Sequence, residues 1–261
     1  MVARAIWKGN LKLNSTKVPV KLYSAIQERT IRFHILDDRA KQRVKQHMIN
    51  PESGDEVPNE EIRKGFEVAP GTFVVLEEKD LETLVPEASR DIEIKKFVPV
   101  DAIPPEYYDR PYWVGPDGDQ TAYFALTEAL KNQQREGIAH WVMRKQPYSG
   151  ALRAEGDHLV LSTLRSADEV LSAKDLPRPS GRAPDKRELA MAKQLIDLLK
   201  GDFEPKEYKD EYRARVMEFV EKKAKGHKPR LKLVKSKPKT ASLDKVLSKS
   251  IEALKKEKRS A

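Results

Sequence analysis

From Val18 to Leu161 the chain keeps returning to short apolar runs that alternate with polar residues, with turn signals between them. A period of two is what a strand with one buried face requires. In Ile31-Arg32-Phe33-His34-Ile35, the three apolar residues share one side and Arg32 and His34 take the other. Arg43 to Ile49 likewise sets Arg43, Lys45 and His47 on one face. Val18–Tyr23, Phe73–Leu76, Ile92–Val98 and Ile138–Arg144 read as further strands. Pro51-Glu52-Ser53-Gly54-Asp55 is a turn cluster, and Glu155-Gly156-Asp157 sits where a hairpin turn belongs. Strands this short and this frequent predict a β-barrel or a sandwich.

Helices complete an α+β chain. Asp119 is placed to cap a helix whose Ala122, Tyr123, Leu126, Ala129 and Leu130 recur at helical spacing, with Gly137 to end it. Leu176 to Ala183 and Pro184 carry three prolines and a glycine, which forbid regular structure. Beyond this linker two amphipathic helices are expected, over 185–200 and 204–225, the first opened by Asp185 and Glu188 in a capping box. The expected organisation is a barrel core over 1–175, a linker and two-helix arm over 176–226, and a Lys-rich tail over 227–261.

Charge divides the chain differently. Lys222 to Ala261 holds fifteen basic and three acidic side chains, a net of +12 in a protein whose total is +9, so residues 1–221 are at −3. A strongly basic arm seeks a polyanion, of which nucleic acid is the commonest; the plainer role is a solvated solubility tail. Lys228 to Thr240 is expected to be disordered. Ser242 to Lys258 has the pattern of a basic amphipathic helix suited to DNA, an acidic partner or an anionic membrane.

Catalytic chemistry finds little footing. There are no cysteines, hence no disulfide, thiol nucleophile or cysteine-ligated zinc. No phosphate-cradling glycine loop is present, and the five histidines share no metal-ligand spacing. Glu77, Glu78, Asp80 and Glu82 are dense enough to hold a metal in a nuclease, but they lie where a helix starts, and acids are favourable there. No apolar run is long enough to span a membrane. A non-enzymatic, cytoplasmic protein without cofactor, metal or membrane partner is expected.

Several segments carry a family resemblance. Trp7-Lys8-Gly9, Val18-Pro19-Val20-Lys21-Leu22-Tyr23-Ser24-Ala25 and Phe33-His34 are similar to the opening of bacterial Ku proteins. Lys64-Gly65-Phe66-Glu67, Phe97-Val98-Pro99, Thr163-Leu164-Arg165, Ala167-Asp168-Glu169-Val170 and Glu188-Leu189-Ala190-Met191-Ala192 continue it, over roughly residues 4–222. The chain departs from the family at Leu13-Asn14-Ser15-Thr16, at Ser166, and in lacking the cysteines that some members carry near His47. The resemblance implies a β-barrel body with a bridge segment that closes around DNA. It implies a homodimeric ring that binds double-stranded DNA ends, acts in non-homologous end joining, associates with the nucleoid, recruits DNA ligase D and catalyses nothing itself.

Binding any broken end demands contact to phosphate and sugar, not to base edges. The candidate contacts are Arg29, Arg32, Arg43, Lys45, Lys64, and Arg144 with Lys145 at the end of a strand. Lys228, Arg230, Lys232, Lys235, Lys237 and Lys239 of the tail would serve as a second, mobile set. The competing class is a general architectural nucleic-acid-binding protein with a basic tail, which would accept closed circles or RNA as readily as ends.

Overall fold

The computed structural model describes residues 4–178, 180–226 and 251. Its contacts divide the chain into two units, Met1–Leu176 and Pro177–Ala261.

The first unit opens with β1 (Trp7–Leu13) and β2 (Thr16–Ser24), and later supplies β3 (Lys64–Ala69), β4 (Thr72–Leu76) and α1 (Glu78–Thr83). Then follow β5 (Asp91–Pro99), β6 (Tyr108–Pro116), α2 (Gln120–Gln133), β7 (Arg135–Met143), β8 (Gln146–Glu155) and β9 (His158–Leu164). Seven of these strands close into a barrel in the order β1-β2-β6-β9-β8-β7-β5. Among the described residues only the seam between β1 and β5 is parallel, with Leu11 opposite Ile92. Alternate residues point inward, so Leu11, Val20, Leu22, Val114, Leu152 and Leu161 fill a closed core.

Helix α2 caps one end of this core. Asp119 accepts a hydrogen bond from the Ala122 amide, as its N-cap position predicts. The Tyr123 hydroxyl donates to the Val114 carbonyl at 2.6 Å and accepts from the Leu159 amide at 2.9 Å. It thereby pairs two buried groups of β6 and β9 that would otherwise cost about 1–3 kcal/mol each. The helix stops earlier than expected, with Gln134 taking the left-handed cap. Gly137 belongs instead to β7, where a Cβ would press on Ile94 and Phe97 at 3.0 and 3.1 Å.

Strand register fixes what lies at each end. The β1–β2 turn, Pro99, α2 and the β8–β9 turn share one end; Ser24, Asp91, the β7–β8 turn and Leu164 share the other. Because β5 and β6 run in the same direction, residues 100–107 cross the outer wall from the first end to the second. Under this strap lies Glu136, 1% exposed, whose carboxylate accepts the Tyr108 hydroxyl at 2.8 Å. Burial holds Glu136 above its ordinary carboxylate pKa. Arg165 ties the strap down through the Glu106 carbonyl at 3.0 Å and Asp109 at 2.9 Å.

Residues 25–90 leave the barrel between β2 and β5. The strands expected at Ile31–Ile35 and Arg43–Ile49 do not form; single bridges join Leu36 to Arg43 and Ile49 to Glu56. Each segment folds back on its own turn, and among the described residues no further strand lies beside it to extend the ladder. Further along, β3 and β4 make a separate hairpin with Phe66 opposite Val74, and both of its faces are exposed. The acidic cluster begins α1: Asp80 accepts from the Glu77 amide at 2.9 Å, a capping role.

The second unit contains α3 (Lys186–Leu199) and α4 (Glu211–Ala224). At the start of α3 the predicted capping box forms. Asp185 accepts from the Glu188 amide at 2.8 Å, Glu188 from the Asp185 amide at 2.9 Å, and Arg182 braces Glu188 at 2.8 Å. Ile196 and Leu199 on α3 and Tyr212 and Val220 on α4 are exposed. The disordered stretch expected at 228–240 and, apart from Ile251, the helix expected at 242–258 lie outside the described residues.

Candidate nucleic-acid interface

The excursion is electrically two-sided along its length. Residues 25–50 hold six basic and three acidic side chains, whereas residues 51–90 hold four basic and eleven acidic. The outgoing leg is cationic and the returning leg anionic. Arg29, Arg32, Arg43 and Lys45 all fall on the outgoing leg and are exposed. Because this stretch is not a strand, the alternation that put Arg43 and Lys45 on a common face no longer applies. A turn organises them instead. The Asp37 carboxylate accepts the Arg39 and Ala40 amides at 3.1 and 3.0 Å, which holds it below its ordinary pKa. Arg39 and Lys41 thereby join the basic leg; placed in a turn, they escape a search for alternating strands. In the next turn His47 contacts Glu56. Lys64, at the start of β3, lies on the returning leg near Glu60, Glu61 and Glu67, apart from the other candidates.

Arg144 and Lys145 form the whole β7–β8 turn, since Met143 pairs with Gln146. Both have positive φ, +54 and +65°. A two-residue turn of this hand favours Asn-Gly, because side chains are strained there. The register sets this turn at the end of the barrel from which both feet of the excursion depart. Arg90 stands directly before one foot, and Arg29 and Arg32 follow the other in sequence.

Pairing separates these cations from those of the barrel wall. Lys8 and Lys21 share Asp117 at 3.4 and 2.6 Å, Lys17 meets Asp91 at 2.7 Å, and Lys12 meets Glu93 at 2.8 Å. Lys95 also reaches Glu93, and the two lysines push that carboxyl down to about 2. By contrast, Arg32, Arg43, Lys45, Arg144 and Lys145 make no ion pair among the described residues. Those five wall lysines are committed to carboxylates, whereas the other five cations remain available to phosphate. The tail candidates Lys228, Arg230, Lys232, Lys235, Lys237 and Lys239 lie outside the described residues. Among the described residues no cluster of His, Asp and Glu is placed to hold a metal, and no helix is long and apolar enough to cross a membrane.

A closed seven-stranded barrel that loops out a long, charge-divided excursion defines a structural class, and comparison with known proteins agrees. Residues 12–191 match the model of the Ku family, described as the Ku70/Ku80 beta-barrel domain. The chain is 39% identical over 256 residues to the "Non-homologous end joining protein Ku 2" of Geotalea uraniireducens (strain Rf4), covering 98% of this chain and 99% of that one. It is 39% identical over 227 residues to the "Non-homologous end joining protein Ku" of Anaeromyxobacter sp. (strain K), covering 86% and 77% respectively. A relative from Heliobacterium modesticaldum (strain ATCC 51547 / Ice1), of the same name, is 33% identical over 98% of this chain and 91% of its own. This chain belongs to the Ku family.

Proposed function

We propose that two copies of this chain form a closed ring that threads onto a free end of duplex DNA, in non-homologous end joining. The observation that carries this reading is the excursion over 25–90: a long loop, cationic on one leg, rooted beside a cationic turn. Such a loop can pass around a duplex while its arginines and lysines meet the phosphates.

A second copy is the partner that the excursion's apolar side chains call for. Phe33 is 70% exposed, Phe66 66% and Leu84 78%. Large apolar side chains left in water on this scale mark an interface, and a symmetric pair would cover them on both copies at once. The names of the relatives support the assignment to end joining. The exposed apolar residues of α3 and α4 suit a helical docking arm, for which DNA ligase D is the proposed partner.

Topology provides the test. A closed ring is expected to bind linear duplex, to bind it poorly when both ends are blocked by bulky adducts, and to leave a covalently sealed circle unbound. Equal affinity for the circle and the cut plasmid would instead make this a general architectural protein.

A further inference from the structure

A groove of about 530 Å³ lies on the outer barrel wall across β2, β6 and β9, outside the basic leg and turn. Tyr23, Ser24, Trp113, Gly115, Pro116 and His158 line it. Trp113 is 39% exposed on the same face as its register partner in β9, the buried Val160. The His158 ring packs against the indole at a centroid distance of 5.9 Å, 72° from coplanar. Tyr23 is the register partner of Trp113. Its ring lies over Gly115, where a Cβ would come within 3.2 Å. A larger residue at 115 would have to displace that ring.

We propose that this groove stacks an unpaired base of the single-stranded overhang at a broken DNA end. Aromatic faces take any base, because every base has a π-face, so such a site needs no sequence preference. The groove ends at Ser24, the last barrel residue before the cationic leg begins. A base seated on Trp113 therefore leaves its phosphates beside residues 25–50, whose net charge is positive. The occupant's two chemistries, apolar ring and anionic backbone, meet the groove and the leg in that order. This inference rests on the end-binding reading and adds that the protein senses what kind of end it holds.

The test compares one duplex carrying a short thymidine overhang with the same duplex cut blunt, using the full-length protein. The overhang is expected to bind roughly tenfold more tightly, the gain of stacking one base. Because Trp141 is buried and Trp7 packs against the core, Trp113 should dominate quenching by acrylamide, and the overhang should shield it. Trp113→Ala should abolish the preference while leaving blunt-end affinity unchanged. The shielding experiment needs no variant, so a misfolded Trp113→Ala would not rescue the idea. Equal affinity for the two ends, unshielded tryptophan, or a preference that survives Trp113→Ala would overturn it. So would a change of oligomeric state in Trp113→Ala, which would make the groove a contact between copies. Loss of all preference for ends over circles would defeat the ring reading instead, and the two failures are distinguishable.

Discussion

At the level of single residues, the β7–β8 turn sets stability against binding. Arg144 and Lys145 occupy left-handed backbone positions that Asn-Gly would fill with less strain. The double change Arg144→Asn, Lys145→Gly should therefore raise stability, by about 1–2 kcal/mol. It should also weaken DNA binding and lower the log–log salt slope by about two, one for each lost phosphate contact. Thermal unfolding and a salt titration on one sample would check both signs. A turn with only a structural role would gain stability and lose nothing. Sequence alone marks these two residues as cations at a strand's end, but not as the entire turn, because left-handed φ at Arg and Lys has no local sequence signal. Arg39 and Lys41 are hidden for a related reason: their presentation depends on Asp37 folding the turn beneath them.

Among the elements, the seam where β1 meets β5 is held outside by carboxylates and lysines. Asn10 and Lys17 bind Asp91, and Lys12 and Lys95 bind Glu93. Glu93 titrates at about 2, below its ordinary 4.5, so its contribution to stability is complete above about pH 4.5 and fades as pH falls toward 2. Denaturant unfolding is expected to show this loss across that range, and Glu93→Gln should be less stable at neutral pH with a shallower acid decline. An unchanged decline would remove Glu93 from the seam's energetics. Elements with local signals are legible in the amino-acid sequence: the Asp119 cap, the Asp185–Glu188 box and the turn at Gly156 all depend on residues a few positions apart. Alternation misleads at Ile31–Ile35, because period two reports two faces but not the existence of a neighbouring strand. β6 has the reverse problem, since the register shift between Tyr108 and Pro111 breaks its period even though the strand forms.

For the whole molecule, charge placement matters more than charge total. Residues 1–221 are at −3, so long-range attraction to DNA must come from the outgoing leg and from the +12 of residues 222–261. A chain ending after Gly226 is expected to bind linear duplex more weakly and with a flatter salt dependence, while keeping its preference for ends over circles. A salt titration beside the circle assay would separate the two properties, and an unchanged slope would deny the tail any contact with DNA. The barrel could be read as a fold class from strand frequency; the exposure of the apolar side chains in residues 25–90 could not, because alternation there points to strands with one buried face.

The parallel seam also sets the order of assembly. Asn10 finds Asp91 only after 81 positions of chain have been made, so the excursion must emerge from the ribosome before the barrel can shut. Closing a loop twice as long would cost only about 0.6 kcal/mol more. Insertions and deletions in the excursion therefore cost the barrel little, and its length can change without unseating the strands on either side.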